Sequence, residues 1–208
     1  MARRADEGDE VTSLTADPVG LPGIAAFFVG ALAFMLSIFA ARGRGGGRES
    51  GATRSRASLV GIVVQGIGIG IAGFGVQHVT LDPLSTKALA EAAVVAMLMA
   101  STVGLFIWAS RTMGRNWSIV ARTRADHQLV QDGPFRLIRH PIYTAMALFM
   151  IALAIAFGHT RQLVPAIPVF ALGTWLRIRI EERMLRTMFA GDYDAYAARV
   201  KRFVPGVI

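Results

Sequence analysis

The residues with chemistry to offer gather at two places in the second half of the chain. Arg139-His140-Pro141 and Tyr143 close the polar passage 127–143 and stand at the entrance to the apolar run 142–157; Arg177, Glu181 and Glu182 stand just past the apolar run 163–176. His140-Pro141 offers a cap position followed by a proline at the first helical position, and a residue before proline favours an extended backbone, so a helix starts there. The exposed N–H groups and positive dipole end of such a helix favour a carboxylate or phosphate beside Arg139 and His140. Tyr143, three residues on, shares a helical face with His140. Arg177 and Glu181 are four apart and share a face, whereas Glu182 is turned from them by about 100°. A carboxylate pair facing a cationic cofactor is one reading of these acids. An interfacial charge cluster with intrahelical pairs is the other, and an arginine-histidine pair at a helix start also serves as topology signal and cap.

What must position these groups is a membrane bundle. Of 208 residues, 53% are hydrophobic and only 17% charged, and the mean hydropathy is +0.48, which departs from a soluble domain. The run 22–41 has the length of about twenty residues needed to cross roughly 30 Å of hydrocarbon. Similar runs at 59–79, 88–109, 142–157 and 163–176 give an expected all-α integral membrane protein of five transmembrane helices, the last two forming a C-terminal helical hairpin. In a hairpin turning near residue 160, Tyr143 and Arg177 rise to similar depth. The expected organisation is a disordered acidic tail over 1–21, three spans over 22–109, and a catalytic half over 110–208 that ends in an amphipathic tail in which Tyr193 and Tyr196 read as interfacial anchors.

Arginines at 42, 44, 48, 54 and 56 and again at 111, 115, 122, 124, 136 and 139 put the loops 42–58 and 110–141 in the cytoplasm. The N-terminus is then outside, and the C-terminus and a cofactor pocket are cytoplasmic. The net charge of +8 is accounted for by this topology and by lipid headgroups, and without a basic stripe interleaved with aromatics it gives no case for nucleic acid. Zero cysteines exclude thiolate chemistry, and His78, His127, His140 and His159 lack ligand spacing, so no metal site is expected. Gly68, Gly70 and Gly73 spell G-x-G-x-x-G, but without a preceding strand the dinucleotide reading fails; close helix packing through Gly66 and Gly70 is the expected use of these glycines.

The run His127-Gln128-Leu129-Val130, Gly133-Pro134-Phe135-Arg136 and Arg139-His140-Pro141-Ile142-Tyr143, followed by Glu181-Glu182 and Phe189-Ala190-Gly191-Asp192-Tyr193, resembles the isoprenylcysteine carboxyl methyltransferase family of integral membrane methyltransferases. The resemblance covers roughly residues 110–205. It implies S-adenosyl-L-methionine bound from the cytoplasmic side, with His127, Gln128, Leu129, Val130, Phe135, His140, Pro141, Ile142, Tyr143 and Glu181 lining the cofactor. It implies that Arg177 meets the carboxylate of a lipophilic or prenylated acceptor entering from the bilayer. Phe135 stands where the family usually has tyrosine, so stacking remains while a hydroxyl contact is lost, and Ala145 stands where glycine is common. The competing expectations are an NADPH-dependent reductase of a sterol-like or isoprenoid double bond, a phospholipid or thiol methyltransferase, and a non-catalytic membrane module.

Overall fold

A computed structural model describes residues 16–44, 56–114, 129–203 and 206. Five helices account for most of them: α1 (Leu21–Arg44), α2 (Arg56–Gly73), α3 (Thr86–Met113), α4 (Pro141–Ala156) and α5 (Leu163–Arg199), with short 3-10 turns at Gly133–Arg136 and Thr160–Gln162. The described residues hold no strand, only isolated bridges pairing Val19 with Val79 and Ile138 with Lys201. Three helical stretches, Leu21–Gly43, Thr86–Met113 and Thr160–Arg199, are long and apolar enough to cross a membrane. α2 and α4 are shorter apolar helices, of 18 and 16 residues.

Local chemistry sets the boundaries. The Asp82 carboxylate accepts from the Leu84 amide at 2.9 Å, and Ser85 Oγ caps α3 by accepting from the Ala88 amide at 3.3 Å, which satisfies an otherwise orphaned helix-start donor. Pro141 opens α4 at the expected position. α2 stops at Gly73, short of the expected Val79, because the chain leaves the helix so that Val79 can pair with Val19. α5 runs on far past Leu176 and breaks at Ala190, where φ is 41°.

α4 is the centre of the bundle, and its alanines make that possible. Ala152 and Ala156 join Phe27 of α1 with Val95 and Met99 of α3; Ala145 joins Ala41 and Phe106; Ala154 and Met150 join Ala72 of α2 with Ala166 and Phe170 of α5. The last cluster corrects the expected tight hairpin. α5 lies chiefly along α2, which wedges between the two arms, so α4 and α5 meet through side chains. The expected tail also ends earlier: Val19 is buried, and the Asp17 amide donates to the Gly158 carbonyl at 2.8 Å. Residues 1–15 lie outside the described residues.

The glycines of α2 are used, though not the expected pair. A side chain at Gly66 or Gly70 would meet nothing within 4 Å. The close approaches are elsewhere: a Cβ on Gly68 would come within 2.7 Å of the Phe170 amide nitrogen, and one on Gly173 within 2.6 Å of the Gln65 nitrogen and 2.8 Å of the Gly61 carbonyl oxygen. Backbone thus lies against backbone where α2 crosses α5, as small residues allow in a membrane. Gly173→Ala is therefore expected to cost about 1–3 kcal/mol through overpacking. Gly70→Ala is expected to be neutral or to stabilise by up to about 1 kcal/mol through helix propensity. Reversible unfolding of the two purified variants in detergent checks both, and equal losses at the two positions would restore the Gly66–Gly70 packing.

Candidate functional site

At one end of the bundle three segments converge: the start of α4, the stretch of α5 from Arg177 to Arg186, and the C-terminal strap 200–203. A buried carboxylate, Glu182, is where they join. Its Oε1 lies 3.2 Å from Arg139 Nη1 and 3.4 Å from His140 Nε2. Arg202 grips it from the strap, Nε to Oε1 at 3.0 Å and Nη2 to Oε2 at 2.9 Å, and Arg186 Nη1 lies 3.7 Å from Oε2. Such fork-on-carboxylate pairing is strong and directional. The hydrogen bond to Glu182 pushes the Arg202 guanidinium above its ordinary value.

The strap is also tied by its backbone. The Arg139 amide donates to the Lys201 carbonyl at 2.8 Å and the His140 amide to the Arg202 carbonyl at 3.0 Å, while the His140 carbonyl accepts from the Tyr143 amide. Part of the α4 start that was expected to face a ligand is thus capped by the chain itself, and the Phe203 ring lies 6.3 Å from that of His140.

Beside this hub is a second, more open wall. Tyr143 is buried, and its hydroxyl donates to Glu181 Oε1. Arg177 lies with its guanidinium 5.0 Å above the centre of the Tyr143 ring and its Nη2 3.7 Å from Glu181 Oε1. His140 Nδ1 is 3.8 Å from Glu181 Oε2. Glu181 keeps 26% of its side chain exposed against 3% for Glu182. The two adjacent acids therefore face different surroundings, one open and one enclosed, as a turn of about 100° requires. Tyr143 and Arg177, expected at similar depth, are in contact.

Of the expected site residues, His140, Tyr143, Arg177 and Glu181 come together. Pro141 is buried as the first residue of α4, Ile142 packs toward Ala41, Phe106 and Ala145, and Phe135 is buried with its carbonyl accepting from Tyr196 Oη at 2.7 Å. Leu129 and Val130 are half-buried ahead of the Gly133–Arg136 turn, and His127 and Gln128 lie outside the described residues. Tyr193 and Tyr196, expected as interfacial anchors, are buried instead; Tyr196 ties the end of α5 to this turn, and the Tyr193 hydroxyl lies 3.5 Å from Arg139 Nη1. Sequence reasoning named Glu182 as one of a carboxylate pair or of an interfacial charge cluster, not as a buried hub, and did not single out Arg202 or Gln65. For Gln65 a signal existed: it is the one polar side chain between Leu59 and Gly73.

Residues 90–192 match the family model described as phospholipid methyltransferase. A probable protein-S-isoprenylcysteine O-methyltransferase of Oryza sativa subsp. indica is 30% identical over 100 residues, covering 45% of this chain and 50% of the relative. The protein-S-isoprenylcysteine O-methyltransferase B of Arabidopsis thaliana is 30% identical over 102 residues, 46% and 50% of the two chains. The cobalt-zinc-cadmium resistance protein CzcN of Cupriavidus metallidurans is 30% identical over 105 residues, 50% and 48%. The chain thus spans about half the length of the curated relatives it matches.

Removing a buried charge's partner is more costly than the pair is worth. Glu182→Ala, which strands Arg139 and His140, is expected to lower stability by about 3–5 kcal/mol. Arg202→Ala, whose side chain is 48% exposed, is expected to cost only on the order of 1 kcal/mol. Denaturant titration in detergent checks the order, and a Glu182→Ala loss no larger than that of Arg202→Ala would remove Glu182 as the hub.

Proposed function

We propose, from the match of residues 90–192 to the phospholipid methyltransferase family model and the likeness to protein-S-isoprenylcysteine O-methyltransferases over about half of each chain, that it is an integral membrane methyltransferase that transfers a methyl group from S-adenosyl-L-methionine to the carboxylate of an isoprenoid- or lipid-linked acceptor. The observation that carries this reading is the wall made by Arg177, Tyr143 and Glu181, a cation and an open carboxylate held side by side on a buried ring.

The donor set suits the cofactor. Glu181 offers an acceptor to its cationic or hydroxyl groups, and Arg139 Nε, buried without a hydrogen-bond partner among the described residues, offers a donor. When bound, S-adenosyl-L-methionine supplies a methyl group on a positively charged sulfur. The acceptor carboxylate is already a nucleophile, so the protein needs no base. Its task is alignment and exclusion of water. Arg177 orients the acceptor oxygen, and the Tyr143 hydroxyl fixes the Glu181 carboxylate that faces the cofactor. Glu182 keeps Arg139 and His140 in place and is already occupied by cations, which makes it a poor proton acceptor for an amine.

The same reading takes all five helices as spans and places the site in the cytoplasm. Two polar ends support it. Asp17, Val79 and Thr160 are joined at one end, where Thr160 Oγ1 donates to Asp17 Oδ2 at 2.9 Å; the arginine-rich cluster lies at the other, as the positive-inside rule asks. The description of the matching family favours a second reading, methylation of a phospholipid amine.

S-adenosylhomocysteine is expected to stabilise the purified protein by about 2.7 kcal/mol at a hundredfold excess over Kd, while NADPH leaves the unfolding midpoint unmoved. Arg177→Ala is expected to keep that stabilisation and to lose about a hundredfold in transfer to N-acetyl-S-farnesyl-cysteine, because the acceptor is no longer aligned. Stabilisation by NADPH instead would point to a reductase. Full transfer by Arg177→Ala would end the role given to Arg177, and labelling of phosphatidylethanolamine but not the acid would select the second reading.

A further inference from the structure

Gln65 is the one polar side chain in the interior of α2, and it is 1% exposed. A primary amide in an apolar run is costly unless both its ends are bonded. Both are: Nε2 donates to Thr174 Oγ1 at 2.7 Å, and Oε1 accepts from Arg177 Nη1 at 3.1 Å. The helices are close enough for this because Gly173 lies against the Gln65 backbone and Gly61 lies against the Arg177 stem. Arg177 is therefore held on several sides. Its stem rests on Gly61, its Nη1 points to α2, its Nη2 faces Glu181, and its plane lies over Tyr143.

We infer that Gln65, contributed by the N-terminal half of the chain, is the positioning residue of the acceptor site: it aims the Arg177 guanidinium with a neutral oxygen that adds no second carboxylate to Glu181 beside the cation. This rests on the reading of Arg177 as the acceptor-binding group. The neutrality of the amide is the substance of the inference. A carboxylate at the same place could accept from Arg177 and, with that bond reversed, from the Thr174 hydroxyl, yet as a second carboxylate beside Glu181 it would compete directly with the acceptor for the cation.

Full-length protein in lipid nanodiscs, given N-acetyl-S-farnesyl-cysteine and methyl-labelled cofactor, tests it. Gln65→Glu is expected to raise KM for the acid about tenfold, as loss of one charge-assisted contact would, with cofactor KM within about twofold of wild type and the unfolding midpoint unchanged or higher. Gln65→Met, of similar volume without the amide, is expected to raise the same KM. In an Arg177→Ala background Gln65→Met should have no further effect on the acceptor KM, the non-additivity that marks action through a shared partner. If Arg177→Ala raises the acceptor KM while Gln65→Glu leaves it alone, the inference about Gln65 falls by itself. Gln65 variants that move both KM values equally, or a Gln65→Met effect that adds to Arg177→Ala independently, show a structural role and overturn it as well. If wild-type protein turns over no acid, or Arg177→Ala behaves as wild type, the reading of Arg177 falls first and Gln65 with it.

Discussion

Burying the Glu182 carboxylate costs several kcal/mol of lost hydration, and that cost is offset only when its lone pairs are filled in good geometry. His140 and Arg202 lie within hydrogen-bond distance, Arg139 and Arg186 lie near as charges, and the four come from three separate parts of the chain. The entry to α4 and the middle of α5 cannot then move independently, because either one leaving would strand a charge in a dry place. The backbone bonds from Arg139 and His140 to the strap act in the same direction. The open wall of Tyr143, Arg177 and Glu181 stands on this fixed base, which is what a site that works by alignment requires.

Two adjacent glutamates divide the labour. Glu182 is turned inward and satisfied by cations, while Glu181, one residue earlier, keeps part of its surface open and takes the Tyr143 hydroxyl. Helical pitch alone separates their surroundings. The sequence could show that the two acids face different ways, since spacing determines it. It could not show which way was inward, because that depends on where α4 and the strap lie.

The same limit explains what was legible elsewhere. The positions of the apolar helices, the proline start of α4 and the meeting of Tyr143 with Arg177 follow from hydrophobic runs and rise per residue, and these are local properties. The order of helices around the bundle is not local. α2 is apolar on nearly every side, so its sequence offers many glycines without saying which face meets α5; Gly61 and Gly68 do so and Gly66 and Gly70 do not. Arg202 was hidden for a related reason. The chain breaks at Ala190 before it returns to set Arg202 on Glu182, and a single alanine with positive φ leaves no mark in composition.

The wedge of α2 also changes what the N-terminal half is for. Had α4 and α5 packed as a plain hairpin, Arg177 would have had its neighbours from the C-terminal half alone, and helices α1–α3 would have served only as a lipid-facing scaffold. With α2 between the arms, Gly61 and Gln65 touch the residue on which acceptor alignment depends in our reading. A membrane helix packs where small residues permit close approach, and a polar side chain inside it seeks a partner. In α2 these two tendencies act on the same crossing, so the contact that docks the helix also orients the guanidinium. On the proposed function, divergence in α2 would alter how the acceptor is held without touching the residues assigned to the cofactor.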